Sequence, residues 1–263
     1  MYHVSRLNFF CLNIKAMKTI QLILSWILLI ICFSACEKSD SISPTTTGTG
    51  GSLARFAITG DFLYAVGATD LRVFNITQPD NPILGNTIKL GFGIETIFPH
   101  KDKLFIGTQT GMKIYDNAQP QDPKFISEFV HIASCDPVVV QESYAYVTLR
   151  DGTACRRGVN RLDVVDIQNI TQPKLVNSIA MQNPHGLGVD GNSLFVCDGQ
   201  YGLKVMDLSK PEKPEITTTF PELVVYDVIP NNKTLIMTGR DGIFQYGYKT
   251  GNTLQQLSKL PIE

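Results

Sequence analysis

LRVFNITQPDNP (71–82), MKIYDNAQPQDP (112–123), LDVVDIQNITQP (162–173) and LKVMDLSKPEKP (203–214) are four copies of one pattern, an alternating apolar strand that ends in Asp or Asn and runs into a proline-rich turn. A fifth, decayed copy, GIFQYGYKTGN (242–252), follows at the expected distance. The aromatic or aliphatic residue of the preceding strand marks the period. Tyr64, Phe105 and Tyr146 are spaced by 41 residues, Phe195 follows after 49, and Ile236 after a further 41. The third unit therefore carries an insertion of about eight residues, and a constant period of this kind decides the fold before any local propensity does.

Within each unit the apolar residues recur every second position, which belongs to half-buried strands and not to helices. The fourth unit divides into GLGV (186–189), LFVC (194–197), LKVMDL (203–208) and EITTTF (215–220), separated by DGN, DGQYG and the proline turn. The side chains of Asn75, Asp116, Asp166 and Asp207 are placed to fold onto their own following backbone as Asx-turns. The prolines then stop the ladder because they donate no hydrogen bond. Four short antiparallel strands in about 40 residues make a propeller blade. The expected fold is all-β, a five-bladed β-propeller with blades at about 53–91, 92–132, 133–181, 182–222 and 223–263. A formal net charge of −1 and a pI near 6.4 provide no field that would favour nucleic acid.

The N-terminus addresses targeting. Lys18 to Ala35 read as a short positive flank, an apolar run from Ile20 to Phe33 and small residues before Cys36. The run is shorter than the roughly 20 residues a membrane span needs, and it gives way to polar EKSDSISPTTTGTGG. The segment resembles a bacterial lipoprotein signal, which implies cleavage at Cys36 and acylation of that cysteine. The expected organisation is an extension at 1–16 with Met17 as the more natural start, a signal at 17–35, a lipid-anchored flexible tether at 36–52 and the propeller at 53–263. Lys38 and Asp40 are similar to a Bacteroidetes surface-export signal, and Asp40-Ser41-Ile42 to the O-glycosylation pattern of that phylum. The expected location is the bacterial cell envelope, as an outer-membrane lipoprotein facing the periplasm or the surface.

The units LYAVGATDLRVFNITQPDNP and LFVCDGQYGLKVMDLSKPEKP resemble LVIVD repeats, and the chain from about Ala54 onward is similar to the LVIVD-repeat lipoproteins of Bacteroidetes. That resemblance implies the propeller and carries no established activity.

Three cysteines, Cys135, Cys155 and Cys197, lie beyond the cleavage point. An oxidising compartment permits disulfides. A bridge between Cys135 and Cys155 would close a loop of about 20 residues and add on the order of 3 kcal/mol. Cys197 ends an alternating strand and reads as a small buried apolar residue.

Aligning the blades on their marker residues gives a candidate ligand-binding site. Glu95, Asp136 and His185 stand ten residues before the marker, and Arg55 and Asp227 stand nine before it. All five open the first strand of a blade, which would line the mouth of the central channel. A His with three carboxylates could hold a polar ligand or a cation. Wet, polar channels are equally ordinary in propellers, and Arg55 opposes a metal. A second candidate is the inserted loop TLRDGTACRRGVNRLDV, where Arg150, Arg156 and Arg157 offer guanidinium forks to carboxylates or phosphates. Neither a zinc spacing, a nucleophile elbow nor a phosphate loop is present, so no cofactor, no metal and no catalytic residue is assigned.

The sequence therefore favours a monomeric envelope binding module for a protein or glycan partner. An enzyme of hydrolase or lyase type at the channel mouth is one alternative, and a structural accessory subunit of an envelope complex is another.

Overall fold

The computed structural model describes residues 51–131, 137–151, 159–249 and 253–262. The lipidation candidate Cys36, the cysteines Cys135 and Cys155, and the site candidates Asp136, Arg156 and Arg157 lie outside the described residues.

The regular structure is a series of twenty strands in five four-stranded antiparallel sheets, each built from strands consecutive in the chain. Blade 1 contains β1 (Phe56–Thr59), β2 (Phe62–Val66), β3 (Asp70–Asn75) and β4 (Ile83–Lys89). Blade 2 contains β5 (Ile94–His100), β6 (Lys103–Thr108), β7 (Gly111–Asp116) and β8 (Lys124–Val130). Blade 3 contains β9 (Val138–Gln141), β10 (Tyr144–Leu149), β11 (Arg161–Asp166) and β12 (Lys174–Ala180). Blade 4 contains β13 (Leu187–Asp190), β14 (Ser193–Cys197), β15 (Leu203–Asp207) and β16 (Glu215–Phe220), and blade 5 contains β17 (Val225–Asn231), β18 (Thr234–Gly239), β19 (Gly242–Tyr248) and β20 (Leu254–Pro261). The fold is thus the five-bladed propeller read from the repeats. Since β20 pairs with β19, the last blade is completed by its own chain with no strand exchanged between the termini.

The repeat's signature residues act locally as their chemistry dictates. Oδ1 of Asn75, Asp116, Asp166 and Asp207 accepts from the amide two residues on, at 2.9, 3.2, 2.8 and 3.1 Å respectively. These Asx-turns end the third strand of four blades in the same way and aim the chain into the proline turn. The marker tyrosines add a staple between blades. Tyr64 donates from its hydroxyl to the carbonyl of Pro120, and Tyr146 to that of Pro211, each at 3.0 Å and each in the next blade's proline turn.

First strands of successive blades lie side by side around the channel, from β1 through β5, β9 and β13 to β17. Fourth strands are the most exposed. In an antiparallel ladder opposed residues share a face, so each sheet has two faces and each middle blade buries both. Four clusters result. Tyr64, Val66, Leu71 and Val73 of blade 1 meet Ile97, Leu104, Ile106 and Tyr115 of blade 2. Phe105, Met112 and Ile114 of blade 2 meet Val138, Val147 and Val165 of blade 3, and Tyr146, Leu162 and Val164 of blade 3 meet Leu187, Leu194 and Met206 of blade 4. Phe195, Leu203 and Val205 of blade 4 meet Val228, Leu235 and Met237 of blade 5. Among the described residues no buried cluster joins blade 5 back to blade 1.

Candidate functional site at the channel mouth

The first strand begins, the second ends and the third begins on one rim of the propeller. The described channel-mouth candidates Arg55, Glu95, His185 and Asp227 and Arg150 at the end of β10 therefore belong to the same surface. His185 and Arg150 are close enough for the guanidinium to act on the imidazole, which joins the two sequence candidates at blades 3 and 4.

Strand register sorts the channel-mouth residues into two successive circles. The markers Tyr64, Phe105, Tyr146, Phe195 and Ile236 are paired with Ala57, Phe98, Val139, Gly188 and Ile229. Among the described residues, counting three back from those partners gives Ala54, Glu95, His185 and Tyr226. Counting two back gives Arg55, Thr96, Pro137, Gly186 and Asp227. Glu95 and Tyr226 are bulged out of register, between Ile94 and Thr96 and between Val225 and Asp227. A bulge leaves one residue unpaired and re-aims its side chain. The residue of blade 5 that corresponds to Glu95 and His185 is therefore Tyr226, and the rings of His185 and Tyr226 lie 5.0 Å apart.

Asp227 belongs to the next circle and has a different task. Its carboxylate lies against Gly186, where an added Cβ would be 2.1 Å from Oδ1, and against Gly51, where a Cβ would be 2.5 Å from Oδ2. Ser52 donates from Oγ to Oδ1 at 3.3 Å, and Oγ accepts from the amide of Leu187 at 2.7 Å. The amides of Val228 and Leu53 also bond the carboxylate. Burial pushes the Asp227 carboxyl up to about 6, against the pull of these donors. The segment before β1 is thereby clasped to the first strands of blades 4 and 5.

Arg55 is also committed. Its guanidinium donates to the carbonyls of Ile94 (3.2 Å), Val66 (3.5 Å) and Gly67 (2.9 Å), so it ties the rims of blades 1 and 2 together. Glu95 and Arg150 each keep an interaction partner of their own. His185 sits in a segment fixed by Asp198, which is fully buried, accepts from the amide of Asn183 at 2.7 Å and pairs with Lys204. Burial first and the Arg150 charge second lower the His185 imidazole to about 4, so it is neutral at physiological pH. Its Nε2 is buried with no hydrogen-bond partner among the described residues. No group of three or more His, Cys, Asp or Glu that could hold a metal occurs among the described residues.

Two rim residues had no place in the sequence argument. Phe92 is 90% exposed between Gly91 and Gly93, both with positive φ (96° and 74°). Tyr201, in the turn between β14 and β15, is 45% exposed. The Gly-Phe-Gly triplet was the available signal, since left-handed glycines on both sides of an aromatic hold it away from the sheet. Elsewhere, Cys197 is fully buried as expected. His100 ends β5 half-buried, and burial lowers its imidazole.

The fold is that of a five-bladed β-propeller. The LVIVD repeat model matches residues 134–180 and 185–220, so the third and fourth repeat units are LVIVD repeats. Among solved structures, a protein from Lactobacillus plantarum is similar with a TM-score of 0.61 at 14% identity, over 76% of this chain and 67% of that one. A functionally unknown protein from Desulfotomaculum acetoxidans gives 0.61 at 13% identity, over 79% and 69%. The periplasmic gluconolactonase PpgL of Pseudomonas aeruginosa gives 0.59 at 10%, over 77% and 68%. At such identities the likeness shows the fold alone. No curated protein matches the sequence.

Proposed function

We propose that this chain is a lipid-anchored binding module of the bacterial cell envelope that presents the channel-mouth rim to an anionic glycan. The observation that carries the reading is Phe92, a large aromatic held almost fully in solvent by two left-handed glycines on the rim that also bears Arg150. An exposed ring gives a sugar face an apolar platform, and guanidinium groups recognise carboxylates or phosphates. Tyr201 supplies a second ring on the same rim. The Arg156 and Arg157 loop and acylation of Cys36 are parts of the same proposal. Among the described residues no helix is long and apolar enough to cross a membrane.

The test is binding of envelope polysaccharide fractions and a glycan array to full-length protein in detergent. Phe92→Ala is expected to weaken the bound glycan about tenfold or more, the size of an anchor residue's contribution. Cys36→Ser is expected to leave the precursor unprocessed or release the protein from the membrane fraction. Glycan affinity unchanged by Phe92→Ala and Tyr201→Ala together would overturn the rim reading.

A further inference from the structure

We infer that blade 5 carries a second binding site, on the rim opposite the channel mouth, which takes the carboxylate of a small organic acid. The second strand begins, the third ends and the fourth begins on that rim. There the β17–β18 turn, the end of β19 and the start of β20 enclose a cavity of about 510 Å³. The site is separate from the glycan-binding rim and does not rest on that reading.

The repeat explains the space. The first residue of each second strand pairs with the residue that opens the proline turn, Phe62 with Asn75, Lys103 with Asp116, Tyr144 with Asp166 and Ser193 with Asp207. In blade 5 the same pair is Thr234 with Gly247. Four blades thus set a carboxylate or a carboxamide at this point, and the fifth has only a hydrogen. The amide of Lys249 corresponds to those of Thr77, Ala118, Gln168 and Ser209, and it lacks the side-chain acceptor that each of them finds two residues back. The equivalent cavity of blade 4, which Asp207 and Ser209 line, is about 220 Å³. Nothing in the backbone demands the glycine. Gly247 is not among the left-handed glycines, and the nearest atoms to an added Cβ would be those of the Leu257 side chain, at 3.6 Å, an ordinary contact. The room therefore comes from the absent side chain and not from the path of the chain.

The lining supplies what an acid needs. Lys233 and Lys249 bring two ammonium groups, Thr234 and Thr253 two hydroxyls, and Leu254 and Leu257 an apolar wall. No acidic side chain lines the cavity among the described residues, whereas Asp207 and Glu215 line that of blade 4. Lys233 pairs with Asp190 and lies 5.5 Å from the centre of the Tyr248 ring, and the Tyr248 hydroxyl donates to Asp190 at 2.7 Å. Asp190 is thereby engaged by its own partners. Lys249 has no ion-pair partner among the described residues. A carboxylate seated beside Gly247 would accept from the Lys249 amide as Asp116, Asp166 and Asp207 do from theirs, and would also meet the Lys249 ammonium. The body of the acid would then lie on Leu254 and Leu257.

Ligand-detected NMR on the full-length protein in detergent tests the site, with butyrate as the probe, butyramide as its uncharged counterpart and inorganic phosphate as the competing anion. The wild type is expected to bind butyrate in preference to both. Gly247→Asp supplies the carboxylate from the chain itself and is expected to weaken butyrate about tenfold or more with an unchanged circular dichroism spectrum. Lys249→Ala, at an exposed lysine, is expected to weaken it about tenfold without any change at residue 247. Phe92→Ala is expected to leave butyrate unaffected, so failure of the glycan reading and failure of this one are told apart. A wild type that binds no butyrate, equal binding of butyramide, a preference for phosphate, or unchanged butyrate affinity in either blade 5 variant overturns the inference.

Discussion

Among the described residues four seams of this propeller are sealed by buried clusters and the one between blades 5 and 1 is not, although all five are bordered by copies of the same repeat. In the sealed seams an aromatic or aliphatic presenting face meets an aliphatic receiving face, and two of the markers add a hydroxyl staple across the gap. Between blades 5 and 1 the closure seen among the described residues is at the hub, where Ser52 and the backbone around it grip Asp227. The difference teaches that the repeat supplies the blade, while sealing depends on a few residues at fixed positions in the repeat. Where the marker and the third-strand residue become Ile236 and Gln245, the strands still form and no buried cluster joins blade 5 to blade 1 among the described residues.

The largest expected effect separates the two kinds of seam. Phe105→Ala and Phe195→Ala remove fully buried rings and are expected to destabilise by about 3–5 kcal/mol in denaturant unfolding. Phe56→Ala, measured at dilute protein, is expected to stay within about 0.5 kcal/mol. Equal losses at the two sites would break the comparison.

A second large effect concerns how the sealed seam of blades 3 and 4 supports the rim. Lys204→Met leaves the Asp198 carboxylate buried without its cation and is expected to cost about 3–5 kcal/mol. It is also expected to loosen the backbone around His185, read as faster amide exchange at residues 182 to 186.

The staples are smaller. Tyr64→Phe and Tyr146→Phe each lose one bond to a proline carbonyl, an expected loss of about 1 kcal/mol by thermal or chemical unfolding. Conversely, Ile236→Tyr supplies the missing hydroxyl and is expected to slow exchange in the proline turn around Pro79 if blade 5 lies within reach of blade 1.

The smallest effect is a pair of opposed pH dependences. Asp227 has a folded pKa of about 6, above its ordinary 3.8, so between these values the folded chain holds a proton that the unfolded chain releases. Its contribution to stability therefore rises as pH falls through that window. His185 is lowered from 6.5 to about 4, so the unfolded chain binds the extra proton and stability falls as pH drops through nearly the same window. Relative to the wild type, Asp227→Asn is expected to lose stability between pH 7 and 5, and His185→Gln to gain it. Parallel curves for all three proteins would show that neither group is buried as described.

Most of the fold was legible because its determinants are local. The Asx residue, the prolines after it and the two-residue alternation lie within a dozen positions of one another, and the structure reproduces each. The rim was legible only to within one residue. Spacing set Arg55 and Asp227 one residue away from Glu95 and His185, but the bulges at Glu95 and Tyr226 carry no composition signal, so the sequence grouped them at one mouth. The clasp was illegible for another reason, since Ser52 and Asp227 are 175 residues apart and neither belongs to a motif. The open seam was half visible, in the polar residues of a copy already recognisable as decayed.

Side-chain footprinting by mass spectrometry, at dilute and at concentrated protein, tests the open seam most directly. The account predicts that Phe56 and Ile58 are labelled in the dilute sample, while Phe105 and Phe195 are protected in both. Protection of Phe56 and Ile58 at every dilution would mean that blade 5 or another part of the same chain seals the fifth seam, and would contradict it.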